Sequence, residues 1–348
     1  MRENVKVAIW GFGAMGRGIA EMILKKKGIE IIGVCDINPA IVGKDIHEVL
    51  GIERKGAEVF IKDDIKDIVK NGNCDIALLA TDSFTKNAFE KIKYCLEQKV
   101  NVISTAEEFA YPKQQSPELT KQLDEVAKAN GVTALGTGIN PGFVLDYLIL
   151  ALTGTCETVD YIKAARVNDL SPFGHAVMEE QGVGITPEEF ERRMADDSLA
   201  GHVGFPESIA MVAEGLGVKL EKVEQTKDPI ISNVARETKY AKVDPGNLAG
   251  IRQQGFGYVD GKVYIEMDHP QQVLPHLENQ GTGDYIWIKG TPDIAMEIKP
   301  EIPGGIGTIS MVVNMIPQTI NADPGVVTML DLPVPRAIMG DFRDFIKK

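Results

Sequence analysis

The chain has 348 residues, 44% of them hydrophobic, and a formal net charge of −13, which allows two domains and a substantial core. The acidic balance, with no basic cluster to interrupt it, excludes nucleic acid and anionic membranes as expected partners. Apolar runs no longer than a strand, and a first strand beginning within a few residues of Met1, leave no room for a membrane span or a signal-peptide core. A cytoplasmic protein is therefore expected.

From the start to about residue 140, strand-like runs alternate with amphipathic helical stretches. Val5–Trp10 leads straight into Gly11-Phe12-Gly13-Ala14-Met15-Gly16, a G-x-G-x-x-G that opens a helix over 15–27. Gly11 suits a tight turn, Gly13 lets backbone approach a pyrophosphate, Gly16 allows close helix–strand packing, and the helix start offers free N–H groups to an anion. A second strand, Ile29–Cys35, ends in Asp36, about twenty residues past the last glycine, where a carboxylate accepts from an adenosine ribose hydroxyl. That carboxylate repels a 2′-phosphate and favours NAD, while Asn38 and Arg17 offer polar relief that keeps NADP open. Thr81, after a strand over 75–80, completes the expected cofactor set with Gly11 to Gly16 and Asp36.

Further strands are expected at 57–61, Asn101–Ser104 and 132–136, with helices over 84–98 and Pro117–Asn130, the latter closed by Gly131. This order specifies a doubly wound parallel sheet with functional residues at the strands' carboxyl ends. There, Glu107 and Glu108 follow Asn101–Ser104. One is a general-base candidate and the other is expected to be solvated or ion-paired; ordinary first-turn helix carboxylates explain both equally well. Gly136-Thr137-Gly138-Ile139-Asn140-Pro141-Gly142-Phe143 reads as a strand end opening a helix, with Asn140 as N-cap and Pro141 at N1. Asn140 is also placed to orient a substrate amine or carbonyl.

Past residue 146 the pattern becomes longer alternating strands, at 159–167, 216–225, 246–259, 262–268, 285–289 and 294–299, with helices at Pro187–Ala195 and 206–216. The fold class expected is thus α/β: an N-terminal Rossmann domain over 1–145, completed by 305–348, and an α+β domain over 146–304 with a mainly antiparallel sheet. The second domain is expected to bind substrate and to form a homodimer. The 304–320 stretch reads as a helix returning to the first domain. Arg166 sits in an apolar run where an unpaired guanidinium is costly, so it calls for an anionic partner, and Asn168 shares its face. His269 ends a strand and His202 lies in a small-residue turn, but the histidines lack metal-ligand spacing, so no metal is expected. The four cysteines, Cys35, Cys74, Cys95 and Cys156, have no C-x-x-C spacing and read as reduced thiols.

With those residues in view, the chain resembles the 2,4-diaminopentanoate dehydrogenases and their relatives the native amine dehydrogenases, within the dihydrodipicolinate-reductase-like dehydrogenases. The resemblance spans nearly the whole chain and rests on Trp10 to Gly16, Thr105 to Pro112, Gly136 to Asp146, Arg166 to Gly174 and His269 to Gln272. It implies that Glu107 is the acid/base residue, that Asn140 and Asn168 orient the substrate, that His202 lines the pocket, and that Arg166 with His269 holds the substrate carboxylate. The paired-histidine-and-lysine motif of true dihydrodipicolinate reductases is missing, which disfavours a C=C reductase. The reaction implied is NAD(P)-dependent oxidative deamination of 2,4-diaminopentanoate, reversible as reductive amination, in ornithine breakdown. The rivals are an amine dehydrogenase of broader range and a non-catalytic NAD-binding sensor.

Overall fold

A computed structural model describes residues 3–54 and 56–347, and the chain divides into two compact units, Met1–Phe143 with Gly304–Lys348, and Val144–Pro303. In the first unit, strands β1 (Val5–Trp10), β2 (Ile29–Cys35), β3 (Ile61–Lys62), β4 (Ile76–Leu79), β5 (Asn101–Ser104) and β6 (Thr133–Gly136) join β15 (Gly325–Val327) in one sheet of order β15-β6-β5-β4-β1-β2-β3. Every pairing is parallel. The order turns back at β1, so the loops leaving β1 and β4 open side by side at the point where such sheets receive ligands.

Helix α1 (Ala14–Ile23) buries Gly16, Ile19, Ala20 and Ile23, one face of a helical period. Helix α3 (Thr85–Glu97) buries Ala88, Phe89, Ile92 and Leu96 against the sheet core, the last three being large side chains worth about 2 kcal/mol each on burial. Helix α4 (Pro117–Asn130) ends where Gly131 takes a left-handed φ of 71°. A short α2 (Ile46–Leu50) follows β2, capped by Asp45.

The returning segment is two helices and a strand. Helices α9 (Gly304–Asn314) and α10 (Ile316–Asn321) replace the single expected helix, and β15 adds an edge strand that three residues of pattern did not announce. Helix α9 lies on α1 so closely that a Cβ on Gly18 would meet Ile309 at 2.1 Å. The expected strand at 57–61 shrinks to Ile61–Lys62, because Val59 donates its N–H to the Asp45 side chain rather than to a neighbouring strand.

The second unit holds a six-stranded sheet of order β14-β13-β7-β12-β11-β8. Its members are β7 (Thr158–Asp169), β8 (Lys222–Ile231), β11 (Leu248–Val259), β12 (Lys262–Gln272), β13 (Gly283–Thr291) and β14 (Ile294–Ile298). A two-stranded ribbon joins β9 (Arg236–Glu237) to β10 (Lys242–Val243). All pairings in the large sheet are antiparallel except β7 with β12. Four helices belong to this unit: α5 (Tyr147–Thr153), α6 (His175–Glu180), α7 (Pro187–Ala195) and α8 (Phe205–Gly215). Two glycines of β11 let α8 close on the sheet: a Cβ on Gly255 would meet Phe205 at 2.8 Å, and one on Gly257 would meet Ile209 at 2.8 Å.

Two strand limits move for identifiable reasons. The strand expected at 216–225 begins only at Lys222, because Gly217, at φ 69°, lets its own N–H and that of Val218 close the α8 terminus on Glu214 and Ala213. Strand β12 does not end at Asp268 but runs through Pro270 to Gln272. The proline has no N–H to donate, and the ladder to β7 is interrupted between the Asp268–Ala165 and Gln271–Asn168 pairs.

Candidate active site

The nucleotide cradle is built by three glycines doing three different things. Gly11 has φ 95°, and a Cβ there would meet the Ala80 carbonyl oxygen at 2.6 Å; one on Gly16 would meet the Gly11 carbonyl oxygen at 1.9 Å. A Cβ on Gly13 meets nothing within 4 Å, so the space above it is free for a ligand. Gly13 also caps α1 with no side-chain hydrogen bond, and the first turn carries no acidic residue, which leaves the bare helix N-terminus to an anion. Phe12 is fully buried and anchors the loop; Ala14 is exposed beside it and Met15 half-buried. Asp36 Oδ2 accepts from the Phe12 N–H at 2.5 Å and Oδ1 from the Asn38 N–H at 2.8 Å, so the carboxylate is oriented at the end of β2. Arg17 donates to the Phe12 carbonyl at 3.1 Å and braces the same loop. These features suit a dinucleotide: room for a pyrophosphate at Gly13, free N–H groups, and a fixed acceptor for a ribose hydroxyl.

Past the cradle, a cavity of about 420 Å³ is lined by Met15, Ala80, Thr81, Asp82, Ser83, Phe84, Asn87, Thr105 and Glu107. Glu107 opens a short 3₁₀ turn, Glu107–Ala110, held from several sides. The Ala106 N–H donates to Ser104 Oγ at 3.1 Å, the Glu108 N–H to the Ser83 carbonyl at 3.1 Å, and the Thr105 N–H to the Leu79 carbonyl at 2.9 Å. Gly136 makes this possible: a Cβ there would strike the Phe109 carbonyl at 2.1 Å. The two glutamates part company. Glu108, expected to be solvated or ion-paired, is instead buried, and its Oε2 accepts the Thr85 N–H at 2.6 Å as the acceptor for the start of α3. Glu107 is the one that faces the cavity. A larger cavity, about 650 Å³, lies beside β15 and α10 and contains neither the glycine loop nor Glu107, so the chemistry points to the smaller one.

Asn140 does not cap a helix. Residues 140–146 form successive turns, Gly142 takes φ 122°, a conformation a helix cannot use, and α5 starts only at Tyr147, capped by Asp146 at 2.6 Å. Asn140 is half-buried in that turn, still at the carboxyl end of β6.

In the second unit, Arg166, Asn168, His202 and His269 do come together. On the helix-covered face, Asn168 pairs in register with Gln271, and His269 Nε2 lies 3.1 Å from Asn168 Oδ1. The rings of His202 and His269 meet edge-on with centroids 4.8 Å apart, and Phe205 stacks on His269 at 6.2 Å. Gln253 holds the His202 backbone from both sides, accepting its N–H at 2.9 Å and donating to its carbonyl at 2.8 Å. Although His202 as a whole is half-buried, desolvation of its ring pushes its pKa down to about 3, with the Arg166 charge adding to the effect. His269 is held well below the ordinary value by burial, by His202 and by Arg166. Both rings are neutral at working pH. Two sealed polar atoms in this cluster, His269 Nδ1 and Gln271 Nε2, have no hydrogen-bond partner among the described residues.

Arg166 corrects the sequence reading in one respect. Its anionic partner is the protein's own Asp284, directly opposite on β13, at 2.5 Å from Nη1, while Nη2 donates to the Ile302 carbonyl at 2.6 Å and the Ile302 N–H returns to Asp284 at 2.9 Å. Arg166 is 2% exposed and Asp284 fully buried, so two of the five guanidinium N–H groups are anchored within the unit. Burial raises the Asp284 carboxyl even with Arg166 beside it. Pattern reasoning also missed Asp82 and Ser83, which a plain turn hides, and Asn87, which lies in the first turn of α3. It missed Asp284 because register across a sheet is invisible along the chain. Gln271 was within reach, sharing the strand alternation of His269. Among the described residues, no group of three or more His, Cys, Asp or Glu is placed to hold a metal ion.

Three outcomes follow from this geometry. Gly13→Val should leave the thermal midpoint near wild type while weakening dinucleotide affinity more than about tenfold by calorimetry, whereas Gly16→Ala should lower the midpoint, since its methyl has no room. Arg166→Met should cost about 3–5 kcal/mol in urea unfolding by stranding Asp284, and adding Asp284→Leu should recover much of the loss. Because His202 binds its proton less readily folded than unfolded, stability should fall as pH drops below the unfolded value of about 6.5. The fall between pH 7 and pH 5 should be smaller in His202→Asn, and identical slopes for the two proteins would contradict a neutral buried ring.

Comparison with known proteins adds the lineage. The model of the 2,4-diaminopentanoate dehydrogenase C-terminal domain matches residues 143–348, and that of the dihydrodipicolinate reductase N-terminus matches residues 5–133. The 2,4-diaminopentanoate dehydrogenase of Acetoanaerobium sticklandii is 54% identical over 347 residues, covering 99% of this chain and 98% of its own. An amine dehydrogenase of Streptomyces virginiae is 25% identical over 96% of this chain and 98% of its own. The solved amine dehydrogenase of Mycobacterium smegmatis superposes with a TM-score of 0.87 at 27% identity, covering 97% of this chain and 98% of its own. With a family model spanning more than half of its length and a relative this similar end to end, the chain belongs to the 2,4-diaminopentanoate dehydrogenase family.

Proposed function

We propose that this protein catalyses the nicotinamide-dependent oxidative deamination of 2,4-diaminopentanoate to 2-amino-4-oxopentanoate and ammonia, and the reverse reductive amination. The observation that carries this reading is the end-to-end similarity to an enzyme named for that substrate. It is supported by the placement of Glu107 in the cavity beside the glycine loop. When bound, the nicotinamide supplies the hydride acceptor; Asp36 favours NAD over NADP by repelling a 2′-phosphate.

The residues do the proton work. A primary ammonium has no lone pair, so its C–H bond cannot give up hydride until a base removes a proton from nitrogen. Glu107 is that base. The neutral amine then forms a C=N bond as hydride leaves carbon, giving an iminium. After passing its proton to solvent, Glu107 takes one from the water that adds to the iminium carbon. The carbinolamine collapses to the ketone as nitrogen departs as ammonia. In the turn after β6, Asn140 orients the reacting group, and Asn168, His202 and His269 shape the recognition of the rest of the substrate.

Recognition of the carboxylate needs redistribution. Arg166 uses two of its five N–H donors on Asp284 and Ile302, so it holds the carboxylate with its charge and remaining donors, sharing the task with neighbours in the cluster around Asn168 and His269. The family's broader amine dehydrogenases provide the competing reading, and the substrate panel below separates the two.

The same reading makes the protein a cytoplasmic homodimer in ornithine breakdown. The half-exposed sheet face that carries Tyr161, Lys163 and Glu266, with Tyr285 stacked on a 36% exposed Trp287 at 5.6 Å, supports the dimer. Four free thiols, three of them buried, suit a reducing compartment.

The test is nicotinamide reduction with 2,4-diaminopentanoate beside simple amines and ordinary amino acids, using NAD and NADP in turn. Selective reduction with the diamino acid and matching ammonia release is expected, and turnover only of amines without a carboxylate would move the protein to the broader amine dehydrogenases. Glu107→Gln should reduce turnover by at least about a hundredfold while cofactor affinity stays unchanged. Retained turnover would refute the base, and silence of the wild type with both cofactors despite tight binding would favour a sensor.

A further inference from the structure

The two imidazoles of the second unit meet edge-on, although one ring belongs to a strand and the other to a loop. In the antiparallel register, Gln253 of β11 lies between Lys227 of β8 and His269 of β12, so the three project as one row from the same face. His202 comes from the loop between α7 and α8, and two members of that row strap the loop down. Lys227 Nζ donates to the Leu199 and Ala200 carbonyls, at 2.7 Å each. Gln253, 1% exposed, takes the next residues. Its Oε1 accepts the His202 N–H at 2.9 Å, while Nε2 divides its two hydrogens between the His202 carbonyl at 2.8 Å and Gln225 Oε1 at 3.0 Å. That pattern fixes the amide, because half a turn would set NH2 against N–H and oxygen against oxygen. Gly201 completes the fit: it takes φ 65°, and a Cβ there would meet Gln253 Oε1 at 2.7 Å and Lys227 Cε at 3.1 Å.

We propose that Lys227 and Gln253 are positioning residues for the reaction: they hold the loop before α8 so that the His202 ring is set against His269, and the two rings recognise substrate as one rigid pair. A loop with glycines at 201 and 204 would otherwise spread its histidine over many positions, and each substrate that binds would have to order it again. The side-chain bonds from β8 and β11 to backbone groups between Leu199 and His202 remove that freedom in advance. Leu199 anchors the root of the loop, buried in a cluster with Phe190, Leu248 and Ile251. Sequence spacing gives no hint of this. Lys227, Gln253 and His269 are twenty-six and sixteen residues apart, and only strand register aligns them.

The assignment rests on the reading that His202 and His269 contact the substrate, and the experiment separates the two ideas. In the full-length enzyme, Lys227→Met keeps the apolar stem and removes both carbonyl contacts. KM for the diamino acid should rise about fivefold with little change in kcat, as for one hydrogen bond lost from binding, and Lys227→Arg, which keeps the donors, should restore it. The rise should vanish when His202→Ala is already present, because the strap acts through that ring. A rise of the same size in that background overturns the proposal. Ring position is read independently from the imidazole C–H NMR signals of the five histidines, assigned by single substitutions. Those of His202 and His269 should move in Lys227→Met, and those of His47, His175 and His276 should stay; His202 and His269 signals that do not move also overturn it. If His202→Ala alone keeps the wild-type KM, it is the recognition reading that fails, and the NMR signals then decide the strap alone. Unfolding midpoints identify a Lys227→Met protein that simply misfolds, and Gln253→Met, which removes the other half of the strap, is then judged by the same two readouts.

Discussion

Three backbones meet at the carboxyl end of β1 with no space for a methyl group between them, and the architecture of the first unit follows from that contact. Gly11 turns against the Ala80 carbonyl, and Gly16 brings α1 down on the Gly11 carbonyl at a distance that any side chain would forbid. Because α1 must start there, its unsatisfied N–H groups face the opening at the reversal of strand order. Because the Ala80 carbonyl lies against the same turn, the loop after β4 is pinned beside the cradle, bringing Thr81 and Asp82 with it. The loop after β5 is then tied to that one through the Ser83 carbonyl and the Thr85 N–H, which leaves Glu107 facing the cavity and turns Glu108 away. Removing the close approach at β1 would release each of these in turn.

The second unit is organised around buried charge. A guanidinium and a carboxylate on adjacent central strands are expensive to desolvate, and a hydrophobic pair of the same size would serve stability as well or better. What the ion pair brings is a field. Burial is the main reason that the adjacent imidazoles of His202 and His269 stay neutral, and the Arg166 charge adds to it in the same cluster. Pro270 contributes by omission: with no N–H to offer, it opens the β7–β12 ladder where Arg166, Asn168 and His269 project. The polar cluster and the gap in the ladder share one location for one reason, since a proline tolerated in a central strand needs a place where pairing is already given up.

Much of this was legible along the chain, and the parts that were not share a cause. β1, β2, β5, α4 and α7 have the limits that periodicity and caps predict, because their signals are local: an apolar run, a glycine, a proline at N1. Asn140 was read as an N-cap from the same signals, and there a positive φ at Gly142 delays the helix to Tyr147. The three residues of β15 hold too little pattern to announce a strand, and the apolar run before Ile61 does not pair because the Val59 N–H goes to the Asp45 side chain. The pair Glu107 and Glu108 shows the limit most clearly. Neighbours in sequence with the same chemistry, they differ only in what the end of α3 demands of one of them.

By itself, the sequence determined the two-domain α/β class, the dinucleotide fingerprint with its glycine roles, the carboxylate at the end of β2, and the family, since each depends on residue identity at short spacing. Only the tertiary structure decided which glutamate faces the cavity, that Arg166 is answered by Asp284, that the two histidines are neutral, and that Asp82 lines the same cavity as Glu107. Those depend on register between strands and on which loops are brought together at a sheet's edge. Distances of that kind are set by packing of residues far apart in the chain, and no local pattern encodes them.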